Sequence, residues 1–374
     1  MKQELVGGTY GHANPDEVPG ASVTASPFIR AAIPVALAFL AAVPLFAGAF
    51  TPVITLSTVA DSATLIPGGS GTFTSFNPGL TAIPPDPCIS NGNVSFWGAG
   101  IGQQGIYATL FGKLTKIADL NTTIPGTTQT FVSFPPDPMI SGGNVAFIGN
   151  GEGTQGNYVG FPPDPIWPPG PVRIADLNTA IPGGTGNFVS FIGSDPCISG
   201  TNVAFIGTGS GGQQGVYHRL APPDPMIPIV DVNTPVPGGS GNFNQFFNIA
   251  LDGTNLAFVG GVFSQEGDNS ILTQQGVYVF QLSASLSRIA DFNTLVPGGN
   301  TTFLGFGNVA IDPSHVVFEA FSMDGQTVVQ GLYTNLTGTL TKLVDTRDTI
   351  NGRICGQAAV QREDRLVSGQ GDGG

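Results

Sequence analysis

The chain has 374 residues, 12 Lys and Arg against 25 Asp and Glu, and a formal charge of −13. Such acidity repels phosphate backbones and anionic headgroups, which excludes nucleic acid and argues against docking on an anionic membrane surface. With 55 Gly, 31 Pro and only 10% charged residues, the chain favours short strands and tight turns over helices, and its regular aliphatic and phenylalanine content is not that of a disordered chain.

Residues 1–49 form a separate N-terminal region. Met1 to Pro27 is polar and without periodicity. Arg30 then precedes an uncharged run, Ala31 to Phe50. A positive residue, an apolar stretch and Ala47-Gly48-Ala49 are the layout of a secretory signal cut before Phe50. The run is also nearly long enough to be an uncleaved membrane anchor. Either reading places the rest outside the cytoplasm, secreted or on the cell surface.

Residues 50–345 are built on a repeat. Ile174-Ala175-Asp176-Leu177-Asn178-Thr179-Ala180-Ile181-Pro182-Gly183-Gly184 has near-copies beginning at Val59, Ile117, Ile229 and Ile289, and a faded one at Leu343. A period of roughly 55–60 residues belongs to propeller-sized units, not to β-helices or leucine-rich repeats. Four strands are expected per unit. The first surrounds a Phe-x-x-Phe pair: Phe73/Phe76, Phe131/Phe134, Phe188/Phe191, Phe243/Phe246 and Phe303/Phe306. The second is Asn144-Val145-Ala146-Phe147 and its equivalents, apolar without a polar face, as in a strand covered on both sides. The third carries Gly-x-Tyr, ending at Tyr107, Tyr158, Tyr217, Tyr278 and Tyr333. The fourth ends in Ile-Ala-Asp. Glycine-rich links such as Gly212-Gln213-Gln214-Gly215 join the second strand to the third.

Pro-Pro-Asp-Pro recurs at Pro84, Pro135, Pro162 and Pro222. Two copies precede a second strand and two follow a third strand, so the tetrapeptide reads as surface loops. Cys88 and Cys197 sit at one repeat position two units apart, too far for a disulfide, and read as small buried hydrophobes. Residues 346–374 form a polar, partly disordered tail, in which Arg353 to Val360 makes at most one strand. The expected fold is therefore all-β: a β-propeller of five complete four-stranded blades, with an incomplete sixth blade shared by the two termini.

Asp252-Gly253-Thr254-Asn255-Leu256-Ala257-Phe258, followed by Gly276-Val277-Tyr278, resembles the repeat of TolB-type β-propellers. Gly143-Asn144-Val145-Ala146-Phe147 is similar to the Gly-x-x-Ala-Phe core of bacterial secreted "choice-of-anchor" tandem-repeat proteins. Ser95 replaces the alanine in the first unit, and Thr201 and Thr254 replace the glycine elsewhere. The resemblance implies a propeller and carries no activity with it.

The one patterned polar constellation is Asp-x-Asn: Asp119/Asn121, Asp176/Asn178, Asp231/Asn233 and Asp291/Asn293. It either fixes a turn through side-chain to backbone bonds or offers oxygen ligands to calcium, the only cofactor considered. His12, His218 and His315 lack zinc spacing. Glu152, Glu266 and Asp268 fall in hairpin loops, and Trp97 and Trp167 are either packing aromatics or sugar platforms. The expected function is a non-enzymatic extracellular binding or scaffold module for protein or polysaccharide. The alternative is a secreted hydrolase or lyase with an acidic site in the propeller channel.

Overall fold

A computed structural model describes residues 5–7, 57–78, 86–162, 170–191, 195–220, 224–281, 285–313, 315–350 and 353–354. The expected signal or anchor, with its cleavage point, lies outside them. So do His12, Trp167, Cys355, parts of three of the four Pro-Pro-Asp-Pro segments and the end of the tail. By contact the chain divides into two compact units. One comprises Met1–Val232 and Leu251–Thr254, the other Asn233–Ala250 and Asn255–Gly374.

The first unit holds three antiparallel sheets. The first is Cys88–Ser90, Asn93–Gly100, Gln103–Leu110 and Lys113–Asp119. The second is Met139–Ser141, Asn144–Gly151, Thr154–Gly160 and Val172–Asp176. In the third, Phe188–Ser190 and Cys197–Ser199 both pair with Asn202–Gly209, followed by Gln214–Arg219 and Met226–Asp231. The second unit holds the fourth sheet, save for its hairpin tip at Leu251–Thr254, and the fifth. Their strands are Gln245–Asp252, Asn255–Glu266, Asn269–Phe280 and Ser287–Asp291, then Gly305–Asp312, His315–Asp324, Thr327–Thr334 and Thr341–Asp345. In four sheets the strands lie side by side in chain order, each antiparallel to the next, and in the third the two pieces of the first strand both pair with the second. The molecule is all-β with five four-stranded modules, as the repeat implied. Among the described residues the one helical stretch is a three-residue turn, Ser210–Gly212. Two short pairs flank the modules: Leu5–Gly7 with Ser57–Ala60, and Thr349–Ile350 with Arg353–Ile354.

The first strand differs from its expected continuous form. In the first two modules the Phe-x-x-Phe part joins its sheet only through the bridges Ser75 to Ala99 and Ser133 to Asn150. The paired strand resumes at Cys88 and Met139, and in the third module at Cys197. Asp86-Pro87, Asp137-Pro138 and Asp195-Pro196 stand in the breaks. Proline has no N–H for a ladder, so pairing lapses there. The fourth and fifth modules have no such insert, and their first strands run unbroken for 8 residues each.

Why these sequences pack as they do follows from paired glycines. Gly149 of a second strand lies opposite Gly156 of a third, and Gly98/Gly105, Gly207/Gly215 and Gly260/Gly276 repeat the pairing. A Cβ on Gly149 would lie 2.4 Å from the Phe131 ring, and one on Gly156 would lie 2.9 Å from the Tyr158 hydroxyl oxygen. The missing side chains leave a trough in the sheet face. Phe131 and Tyr158 sink into it edge to face, their centroids 5.0 Å apart at 85°. The same T-shaped pair recurs in the other four modules at 4.8–5.0 Å. Phe-x-x-Phe, Phe-x-Gly and Gly-x-Tyr are thus three parts of one packing device. Each buried ring contributes about 2–3 kcal/mol through area removed from water, with a further increment from edge-to-face geometry.

In the first, second and fourth sheets the opposite face is aliphatic and receives the next module's rings. Ile106, Ala108 and Ile117 pack against Phe131, Phe134 and Phe147. Ile148, Val159 and Ile174 pack against Phe188, Phe191 and Phe205. In the second unit Val259, Val277 and Ala290 pack against Phe303, Phe306 and Phe318. Second strands covered on both sides need no polar face, which explains their composition.

Candidate functional site

The Asp-x-Asn motif ends the fourth strand of the first four modules, and in the fifth Asp345 is followed by Thr346 and Arg347. The Asp119 Oδ1 accepts hydrogen bonds from the Asn121 N–H at 3.1 Å and the Thr122 hydroxyl at 2.7 Å, and its Oδ2 meets Lys116 Nζ at 3.0 Å. Asp176 and Asp291 repeat this arrangement, with Arg173 at 2.8 Å and Arg288 at 2.6 Å as the cations. In return the Thr hydroxyl accepts the Asp N–H, at 2.9 Å in all three turns. Asp231 and Asn233 hold the same place in the third module, where Pro228 stands for the basic residue. The side chains of Asn121, Asn178, Asn233 and Asn293 face solvent. The eight residues therefore lie one pair to each of four modules, at separate turns. Among the described residues no three His, Cys, Asp or Glu side chains are grouped as a metal site would require.

Two polar devices passed unnoticed in the sequence because both act between modules. Gln104 Oε1 accepts the Phe134 N–H at 3.3 Å, Gln155 that of Phe191 at 2.9 Å, and Gln275 that of Phe306 at 2.9 Å. A glutamine just before Gly-x-Tyr thus fixes the next module's Phe-x-x-Phe. At the other end of the second strand, Asn93 Nδ2 donates to the Gly142 carbonyl at 2.6 Å while Ser90 Oγ accepts the Gly142 N–H at 3.0 Å. Ser141 and Asn144 clasp Gly200 in the same way, and Ser199 and Asn202 clasp Gly253. The recurring Ser-x-x-Asn spacing was the available signal.

Between the first and second sheets lies a cavity of about 810 Å3, lined chiefly by Trp97, Ala99, Leu120, Phe134, Pro135 and Asn150. That volume falls in the usual range for small-molecule sites. None of its lining residues is ionisable. Its walls are fixed: Gln104 holds Phe134, Asn150 donates to Ser133 Oγ at 3.0 Å, and Gln155 donates to Asn150 at 3.0 Å. Trp97 is only 6% exposed and belongs to the core between the two sheets. It contributes a wall and no open stacking platform.

The other chemically capable groups are dispersed. Glu152, Glu266 and Asp268 are exposed at hairpin tips. His218 is buried, its Nε2 has no partner among the described residues, and burial pushes its pKa down. His315 pairs with Asp312 at 3.0 Å on the surface. Cys88 and Cys197 are not joined by a disulfide to each other. Burial pushes both thiols up, and for Cys197 the charge of Asp195 adds to the effect.

Residues 49–254 match a family of unknown function (DUF7453). The chain belongs to that family. No curated protein matches it. Among solved structures it is similar to a TolB protein of Agrobacterium tumefaciens, at 15% identity and a TM-score of 0.38, covering 70% of this chain and 80% of that one. It is similar to TolB of Acinetobacter baumannii at 11% identity and a TM-score of 0.36, covering 66% of this chain and half of that one, 50%. It is also similar to the β-propeller domain of the Trilobed protease of Pyrococcus furiosus, at 13% identity and a TM-score of 0.33, covering 79% and 88%.

Proposed function

We propose that the protein is a non-enzymatic binding and scaffold module acting outside the cytoplasm, of the choice-of-anchor tandem-repeat kind, with its modules set as propeller blades. One observation carries this reading. The repeat's patterned carboxylates are spent inside turns, whereas the cavity beside Trp97 is neutral, walled by aromatic, proline and amide groups, and held rigid. A preformed neutral cleft suits binding of an uncharged ligand such as a stretch of polysaccharide. Acid–base chemistry would need a titratable group within reach of the substrate. In the Asp-x-Asn motif we assign the carboxylate to turn fixation. A fall in melting temperature on adding a chelator would instead assign calcium.

The test is a titration of neutral cello-, xylo- and chito-oligosaccharides against the full chain, followed by tryptophan fluorescence and calorimetry. Saturable binding is expected, and Leu120→Trp, which fills the cavity, should weaken it about tenfold or more, the loss expected when a pocket is occupied. Release of new reducing ends would support the hydrolase alternative and overturn this reading.

A further inference from the structure

A second surface, independent of the cavity, rises from the fourth sheet. Its second and third strands, Asn255–Glu266 and Asn269–Phe280, are 12 residues each, whereas the second strands of the first three sheets have 8 and that of the fifth has 10. The extra length forms a two-stranded arm. Its foot is held by Asn244, whose side-chain amide exchanges hydrogen bonds with the Phe263 backbone at 2.7 and 2.8 Å, and by a ring contact between Phe263 and Phe247. Beyond that foot, among the described residues, the strands pair only with each other, through Ser264–Ile271, Gln265–Ser270 and Glu266–Asn269.

Residues opposite one another share a face, so Ser264, Ile271, Glu266 and Asn269 lie on one side of the arm. Ile271 is 42% exposed there. At the foot of this face Ser264 and Thr273 also line a polar depression of about 570 Å3, floored by Gly239, Ser240 and Asn293. The tip carries Glu266 and Asp268, both exposed, and among the described residues neither forms an ion pair. Elsewhere Lys116, Arg173, Arg288, Lys342 and Arg347 are all tied to aspartates. With a net charge of −13, a second copy of the chain is repelled as a whole and is a poorer match for this tip than a basic partner.

We propose that the arm and the depression at its foot are a docking surface for a basic polypeptide, with Glu266 and Asp268 pairing to its Lys or Arg side chains and Ile271 entering an apolar notch between them. Unpaired like charges steer such a partner and set the salt dependence of its association.

The test uses a fluorescein-labelled Lys-Leu-Lys-Leu-Lys-Leu peptide and the full chain at low salt, read by anisotropy. Binding is expected and should weaken steeply with salt. The double variant Glu266→Gln, Asp268→Asn should weaken it about tenfold by removing both charge partners. Ile271→Ser should weaken it about threefold by removing apolar contact. Glu152→Gln, a charge loss at another hairpin tip, should leave it unchanged. Absence of binding, equal losses in the Glu152 variant, or unchanged binding in the arm variants would each overturn the proposal. So would self-association in sedimentation that Ile271→Ser abolishes, since the occupant would then be a second copy.

Discussion

The second and fifth sheets share the aromatic trough and differ in what lies behind it. In the second sheet, Val145 to Gly149 are buried without a break. In the fifth, Val316, Phe318, Ala320 and Ser322 are buried while the residues between them are partly exposed. Ile148 of the second sheet corresponds to Glu319 of the fifth, which reaches Asn308 at 3.3 Å and also Gln330. The polarity reverses one strand over. Asn157, 1% exposed and with neither amide atom bonded among the described residues, occupies the place that Leu332 fills in the fifth. One repeat therefore serves two situations. A strand buried on both faces is continuously apolar, and one whose second face is partly exposed among the described residues alternates.

Exchanging the two residues that mark the difference gives the largest expected effect. Ile148→Glu places a carboxylate among the aliphatic and aromatic side chains between the second and third modules. It should cost about 4 kcal/mol or more, or unfold the first unit, because a buried charge there has no partner. Glu319→Ile should change stability by no more than about 1 kcal/mol, as expected for a partly exposed position. Urea denaturation of the two variants checks the pair. Similar losses in both would show that the fifth sheet's second face is packed as tightly as the second sheet's.

The trough offers a finer contrast, since the fifth module carries Ala320 where the second carries Gly149. Gly149→Ala puts a methyl into the Phe131 ring and should cost about 3 kcal/mol through overpacking. Ala320→Gly should cost only about 1 kcal/mol, the usual penalty of a glycine inside a strand. A neutral or stabilising Gly149→Ala in thermal melts would mean that the ring can shift, and that Gly-Gly pairing is not what seats it.

The repeat period, the four strands and the two-sided burial of the second strand were legible in the sequence because they rest on local spacing. Phe131, Gly149, Gly156 and Tyr158 were visible too, but only as separate strand marks. Their union depends on cross-strand register, which a linear pattern does not state. The Asp119 turn could be proposed from its own few residues. Gln104, Ser90 and Asn93 could not, because their partners lie 30 to 52 residues away in the next module. The cavity beside Trp97 escaped for the same reason. The break in the first strand is foreshadowed by its prolines, which mark loops in the sequence without showing which ladder they interrupt.

The fourth-strand aspartate sharpens the comparison in solution. In the second sheet Asp176 meets one cation, Arg173. In the fifth, Asp345 meets both Lys342 at 3.1 Å and Arg347 at 2.6 Å, and Arg347 also reaches Asp324 at 2.7 Å. Burial works to raise the Asp345 pKa, yet hydrogen bonds from Arg347 and Lys342 outweigh it and hold the carboxyl down at about 2. Its unfolded counterpart titrates near 4. Between those values the unfolded chain binds the extra proton, so stability rises with pH across that window. The gain of about 2 kcal/mol is complete above about pH 4 and disappears as pH falls through about 2. Asp345→Asn should therefore lose about that much at neutral pH and match the parent chain at the acid end of the window. Chemical denaturation across that range decides it, and a difference that does not shrink with acid would assign the loss to packing and not to charge.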